Sequence, residues 1–145
     1  MLRGLTLHQP WAWSIAHAGK DVENRGWPPP PALIGQYLAI HAGKKLDKQA
    51  CADIAEDFDI ELPPAHVHGA IVAVAKVTGV KRIEGFLIPA DCSKWTAPGP
   101  GYAWVLADVV AIEPVPCKGA QGLWTVPADA LAKVRERWKA ARSAA

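Results

Sequence analysis

The stretch Gly69-Ala70-Ile71-Val72-Ala73-Val74-Ala75-Lys76-Val77 restricts the fold more than any other part of the chain. It is nearly unbroken apolar sequence, rich in Val and Ala. A strand with one wet face alternates apolar and polar residues, so a run without alternation needs cover on both faces. It also falls well short of the ~18 apolar residues of a membrane span. Residues 69–77 are therefore expected to form a central strand at the heart of a closed or nearly closed barrel. Lys76 breaks the run near its end, where a long stem lets the ammonium reach water.

Further strands supply neighbours. Leu5 and Leu7 alternate with Thr6 and His8 over residues 2–7. In residues 36–41, Leu38 and Ile40 face the core, and Tyr37, Ala39 and His41 share the other face. Tyr102, Trp104 and Leu106 alternate with Ala103, Val105 and Ala107 on a strand reaching about Ile112, the pattern of a barrel strand beside a groove. Residues 119–124 turn into a last strand. Helical spacing of Leu46, Ala50, Cys51, Ile54 and Phe58 predicts a helix over 44–58, with its acidic residues forming a solvated face. A closing helix starts near Pro127, with Leu131, Val134, Trp138 and Ala141 as its apolar stripe and Lys133, Arg135, Arg137, Lys139 and Arg142 on its other sides. Four prolines, 28–31, form a stiff extended connector. Residues 81–100 lack periodicity, and irregular connections of this length are often functional.

The opening stretch carries the densest chemistry. Pro10 suits a helix start, Trp11 and Ile15 share one helical face, and Gly19 ends the helix at the left-handed position after it. The chain then turns into Asp21-Val22-Glu23-Asn24-Arg25, where alternation puts Glu23 and Arg25 on one side. Lys20, Glu23 and Arg25 thus enter one small region rimmed by Trp.

Gln9-Pro10-Trp11 followed by Gly19-Lys20-Asp21-Val22-Glu23-Asn24-Arg25 resembles the signature of the ASCH family, relatives of the PUA-like RNA-binding domains. Ala39-Ile40-His41-Ala42, Gly69-Ala70-Ile71-Val72, Gly101-Tyr102-Ala103-Trp104 and Gln121-Gly122-Leu123-Trp124 agree in order, so the resemblance covers roughly residues 4 to 126. It implies a small β-barrel with a cleft for RNA or a nucleotide. The expected architecture is α+β: one domain over 1–145, with a PUA-like barrel of about six strands roughly over 2–126, peripheral helices, and a closing helix roughly over 127–143.

The ligand-binding residues expected on this basis are Gln9, Trp11, Lys20, Glu23, Arg25, His41, Tyr102, Trp104, Gln121 and Trp124. Arg offers a planar fork for phosphate or a base edge, Lys a point charge, and Glu an acceptor for an exocyclic amine. An indole supplies a stacking face worth ~1–3 kcal/mol per base. Two enzymatic readings compete. Some ASCH-like proteins are amidohydrolases on acylated cytidine, and the resemblance implies for them a Lys-x-x-Thr arrangement with a separate Glu. This chain has Lys20 but Glu23 where the Thr would stand, so the hydroxyl is missing there; Lys20 and Glu23 remain its candidate catalytic pair. RNA cleavage would need an acid and a base about a phosphate, work that Lys20, His41, Tyr102 and Arg25 could share. Ser is scarce, and there is no G-x-S-x-G elbow.

Charge sharpens the binding expectation. The formal net charge is +2 and the sequence pI about 8.5, short of the pI above ~9 expected of a domain that tracks phosphates. Contact with RNA or a modified nucleotide or nucleoside should be local, in a lined cleft. His66 and His68 share one side of an extended segment without Cys or carboxylate ligands at zinc spacing, so neither metal nor cofactor is expected. Cys51, Cys92 and Cys117 are odd in number and widely spaced, which predicts reduced thiols in a cytoplasmic protein. No signal peptide and no membrane partner are expected. A protein-interaction module built on the prolines and the basic closing helix is the last reading.

Overall fold

The computed structural model describes residues 1–144. Six strands form one sheet: β1 (Arg3–Gln9), β2 (Val22–Arg25), β3 (Tyr37–Leu46), β4 (Ala70–Ile83), β5 (Gly101–Pro116) and β6 (Leu123–Thr125). Their order is β2-β5-β4-β3-β1-β6. The β1–β3 pair is parallel and every other pair antiparallel. Three helices, α1 (Trp11–His17), α2 (Lys48–Phe58) and α3 (Ala128–Ala144), lie on this sheet, with a short 3-10 turn at Pro31–Leu33. The architecture is an α+β curled half-barrel.

β4 is central, as its composition predicts, and both faces are covered. Ala73, Ala75 and Val77 join Leu5, Leu38, Ile40, Trp104 and Leu106 in the interior core, which Ala12 and Ile15 of α1 plug. Ile71 and Val74 face the other way, onto Ile112, Val115, Val126 and the α3 residues Ala130 and Val134. The outer cover is thus a helix laid on the curl.

The curl is held by a side chain. β6 pairs with β1 only from Arg3 to Leu5. One residue further, the Thr6 carbonyl accepts Arg25 Nη2 at 2.9 Å, from the strand at the opposite edge of the sheet.

Several boundaries differ from the sequence reading: β1 runs on to Gln9, and Pro31, expected in the extended connector, opens the 3-10 turn. The expected helix over 44–58 begins only at Lys48, because β3 continues to Leu46, which pairs with Gln9. Asp47 then caps α2, its carboxylate accepting from Ala50 N at 3.0 Å, the usual work of Asp before a helix. The irregular stretch is shorter than 81–100, since β4 runs to Ile83 opposite Gly101. β5 likewise passes Ile112 to end at Pro116. The end of α1 matches expectation: Gly19 has φ +75°, and Ala18 N and Lys20 N both donate to Ser14 O.

Candidate functional site

Strand register decides where the opening motif points. Glu23 lies opposite Trp104 and Arg25 opposite Tyr102, so both project from the same face of β2. The turn after Gly19 brings Lys20 beneath them. Lys20 is only 1% exposed. Its Nζ donates to Val22 O at 2.5 Å and to Glu23 Oε1 at 3.0 Å, and lies 5.5 Å from the Trp11 ring centroid. The other carboxylate oxygen, Glu23 Oε2, accepts from Arg25 Nε at 3.0 Å. Burial of the Lys20 and Glu23 charges is tolerable only because each is paired and hydrogen-bonded, with the half-buried Arg25 completing the set.

From Arg25 the network continues through Thr6. The Thr6 carbonyl takes Arg25 Nη2, while its hydroxyl accepts from Trp124 Nε1 and contacts His41 Nδ1, both at 3.1 Å. His41 Nε2 lies 2.8 Å from Cys117 O. A carbonyl only accepts, so Nε2 carries the proton and Nδ1 accepts from Thr6. Burial lowers the His41 pKa from its ordinary value, opposed by the Cys117 contact. Lys20, Glu23, Arg25, His41 and Trp124 are therefore joined in one chain of contacts through Thr6, a residue the sequence does not single out.

Beside Lys20 and Glu23 opens a pocket of about 430 Å³. Trp11 of α1 and Phe58 of α2 wall it, with Trp95 and Thr96 of the segment between β4 and β5 opposite. Asp53, Asp57 and Lys94 complete its charged lining. Asn24 pins this segment: its Nδ2 donates to Trp95 O at 3.0 Å and its Oδ1 accepts from Ala97 N at 2.9 Å. Ser93 adds a hydrogen bond to Asp21. Trp95 and Thr96 are 5% and 6% exposed, yet Trp95 Nε1 and Thr96 Oγ1 have no hydrogen-bond partner among the described residues. Buried polar atoms are nearly always paired, and these two orphans both belong to residues that line the pocket. On the far side of Asn24 and Ala97, Arg25 and Tyr102 line a smaller hollow of about 200 Å³.

The remaining expected residues take other places. Trp104 is fully buried, its Nε1 donating to Trp27 O at 2.9 Å and its ring meeting that of Trp27 edge-on; a ligand has no access to it. Gln9 is a structural clamp, holding Val67 O and Trp13 N. His41 and Trp124 pack edge to face and lie outside the lining of the Lys20 pocket. Gln121 is exposed on the turn before β6. Sequence reasoning missed Asp53, Asp57, Phe58 and Thr96. The one signal was the irregular, Trp-bearing connection after β4.

His68 Nδ1 donates to Gly43 O at 2.7 Å, and His66 packs against the edge of Trp13. The three cysteines are free thiols. No described helix is long and apolar enough to cross a membrane.

The curled half-barrel sheet with its three helices is that of a small α+β domain. Residues 5–116 match the model of the ASCH domain, and the chain belongs to that family. Its structure is similar to that of ASCH from Zymomonas mobilis, at 16% identity and a TM-score of 0.57, covering 93% of this chain and 94% of that one. Two single-substitution variants of that protein give TM-scores of 0.56, at 16% and 17% identity. These likenesses establish the fold. No curated protein matches the chain.

Proposed function

We propose that this ASCH domain binds one base of a nucleotide, free or in RNA, in the pocket between Trp11 and Trp95. The observation that carries this reading is a pocket lined by Trp11, Lys20, Glu23, Trp95 and Thr96, in which the last two hold side-chain polar atoms without a partner, Trp95 Nε1 and Thr96 Oγ1. A base carries ring and carbonyl acceptors for the indole N–H and the ammonium, and exocyclic amines for the carboxylate. The pocket volume lies in the range of about 300–1,000 Å³ usual for small-molecule sites. Asp53 and Asp57 in the lining oppose a phosphate inside it. The phosphate belongs at Arg25, whose side chain is 23% exposed and whose Nη1 makes no hydrogen bond among the described residues. One base inside and one phosphate outside suit a nucleotide or a strand end better than a continuous track.

A titration with cytidine, cytidine monophosphate and a short RNA tests this. The monophosphate should bind more tightly than the nucleoside and lose that advantage in Arg25→Ala, with a shallow salt slope from a single phosphate. RNA binding that ignores Arg25→Ala and is abolished by replacing Lys133 and Lys139 would move the function to α3.

A second reading, hydrolysis of an acylated nucleoside, gains support from one observation. Position 23 lacks the hydroxyl that the Lys-x-x-Thr arrangement needs, but Thr96 brings a buried, unpartnered hydroxyl to the same pocket from another element. Incubation with acetylated cytidine, scored for free cytidine, decides it: turnover abolished by Thr96→Val would make the pocket an active site.

A further inference from the structure

On the opposite side of the sheet lies a second hollow, of about 450 Å³, that shares no lining residue with the Lys20 pocket. α3 forms one bank and the Pro30–Leu33 turn the other, with the start of β1 between them. Leu2, Leu33, Leu131 and Val134 make its walls apolar. Its charged side chains have a single sign: Arg3 and Arg135 line it, and no Asp or Glu does. Neither guanidinium has an ion-pair partner among the described residues. The residues that pair with Arg3 are Leu38 and Thr125. One turn away from Arg135 along α3 stand Leu131, Ala132, Trp138 and Lys139. Trp138 also lines the groove, and its buried Nε1 has no hydrogen-bond partner.

We propose that this groove is a second ligand site, taking an aliphatic carboxylate. The apolar walls recover the free energy of burying a chain, roughly 0.8 kcal/mol per CH₂. Arg3 and Arg135 both line the groove, and either fork suits the planar head, since guanidinium binds carboxylate bidentately and desolvates more readily than ammonium. The indole N–H of Trp138 is a further donor with nothing to donate to. The charged groups on the groove are donors only; a cationic chain leaves them unmet, and a hydroxyl head offers them one uncharged acceptor in place of a carboxylate. The other arginines of α3 are spent on the fold: Arg142 pairs with Asp108, and Arg137 donates to Pro114 O.

The test is calorimetry on the full chain with decanoate, decanol and decyltrimethylammonium below their micellar concentrations. Decanoate should bind saturably at or below about 1 mM, at least about tenfold more tightly than either chain lacking the carboxylate. Arg135 is exposed and Arg3 half-buried on β1; with an unchanged melting midpoint confirmed for each, Arg3→Gln and Arg135→Gln should both weaken decanoate binding several-fold. The indole N–H resonance of Trp138, assigned through Trp138→Phe, should shift on addition while that of Trp95 does not. Equal binding of all three chains, no saturable binding of decanoate, or decanoate binding insensitive to both substitutions would overturn the proposal. So would a decanoate-independent dimer that covers the Trp138 face, or capture by anionic lipid vesicles without binding of free decanoate.

Discussion

Two clusters in this protein combine an arginine, a carboxylate and aromatic rings, one inside the curl and one outside it. In the first, Glu23 accepts from Lys20 with one oxygen and from Arg25 with the other, under Trp11, and Glu23 is only 7% exposed. In the second, Asp108 accepts from Tyr37 at 2.5 Å and from Arg142 at 3.1 Å, and Arg142 stacks 4.6 Å from the Trp138 centroid. The bonding is alike and the depth is not. A charge taken from water has to be compensated by its partners, so removing one partner leaves the full desolvation cost behind. An exposed charge falls back on water, and its partner is replaceable. The buried cluster should therefore govern stability and ligand recognition, while the exposed one trims the docking of α3.

The largest break in that contrast is Glu23→Ala. It leaves Lys20 buried with the Val22 carbonyl but no countercharge and should cost about 3–5 kcal/mol in urea unfolding. A loss near zero would mean that Lys20 reaches water in the native state.

Next come substitutions that separate binding from stability. Trp95→Phe and Thr96→Val delete polar atoms that bond to nothing in the protein. Each should weaken nucleotide binding several-fold while leaving the unfolding midpoint unchanged or slightly higher, because removing an unsatisfied buried group relieves a penalty. A large drop in midpoint would show instead that these atoms have partners within the fold.

Acid should act through the histidines. His41 has its pKa lowered by burial; His66 moves the same way, by burial and then by the charge of His68. With the folded value below the unfolded one, the unfolded chain takes up the proton first as pH falls. Their stability contribution is complete above the ordinary histidine value of about 6.5 and is lost progressively below it. His41→Gln should flatten that decline in a series of melts from pH 7.5 to roughly 5.

The smallest effect belongs to Asp108→Asn. The hydrogen bond from Tyr37 and then Arg142 hold this carboxyl below its usual range, so its contribution is present above that range and fades as pH falls through the lowered value. At the surface that contribution is minor. The melting midpoint at neutral pH should move by a small fraction of the Glu23→Ala shift, and added salt should erase the difference.

Periodicity made much of the framework legible. The unbroken run in β4 announces two covered faces, Gly19 announces the end of α1, and alternation puts Glu23 and Arg25 on one side. Sequence patterns report which way a residue faces within its own element; they do not report which elements meet. Thr6 looked like the polar half of an alternating strand, and only the curl of the sheet brings Arg25 to its carbonyl. Asp53 and Asp57 read as a solvated helix face and do remain exposed, yet the docking of α2 also sets them along the pocket. The seven tryptophans could not be ranked by composition. Trp104, on a clean alternating strand, is sealed in the core. Trp95, in the segment with no periodicity, lines the pocket and carries an indole N–H without a partner.

That N–H gives the most direct test of the binding account. With the Trp95 resonance assigned through Trp95→Phe, cytidine monophosphate is titrated into the protein and the side-chain indole signals are followed by NMR. The account predicts a saturable shift of the Trp95 indole N–H as it gains an acceptor, with the Trp104 signal unmoved in its bond to Trp27 O. A binding isotherm that leaves Trp95 still, while signals on α3 or around Trp124 move, would contradict it and place the ligand elsewhere on the fold.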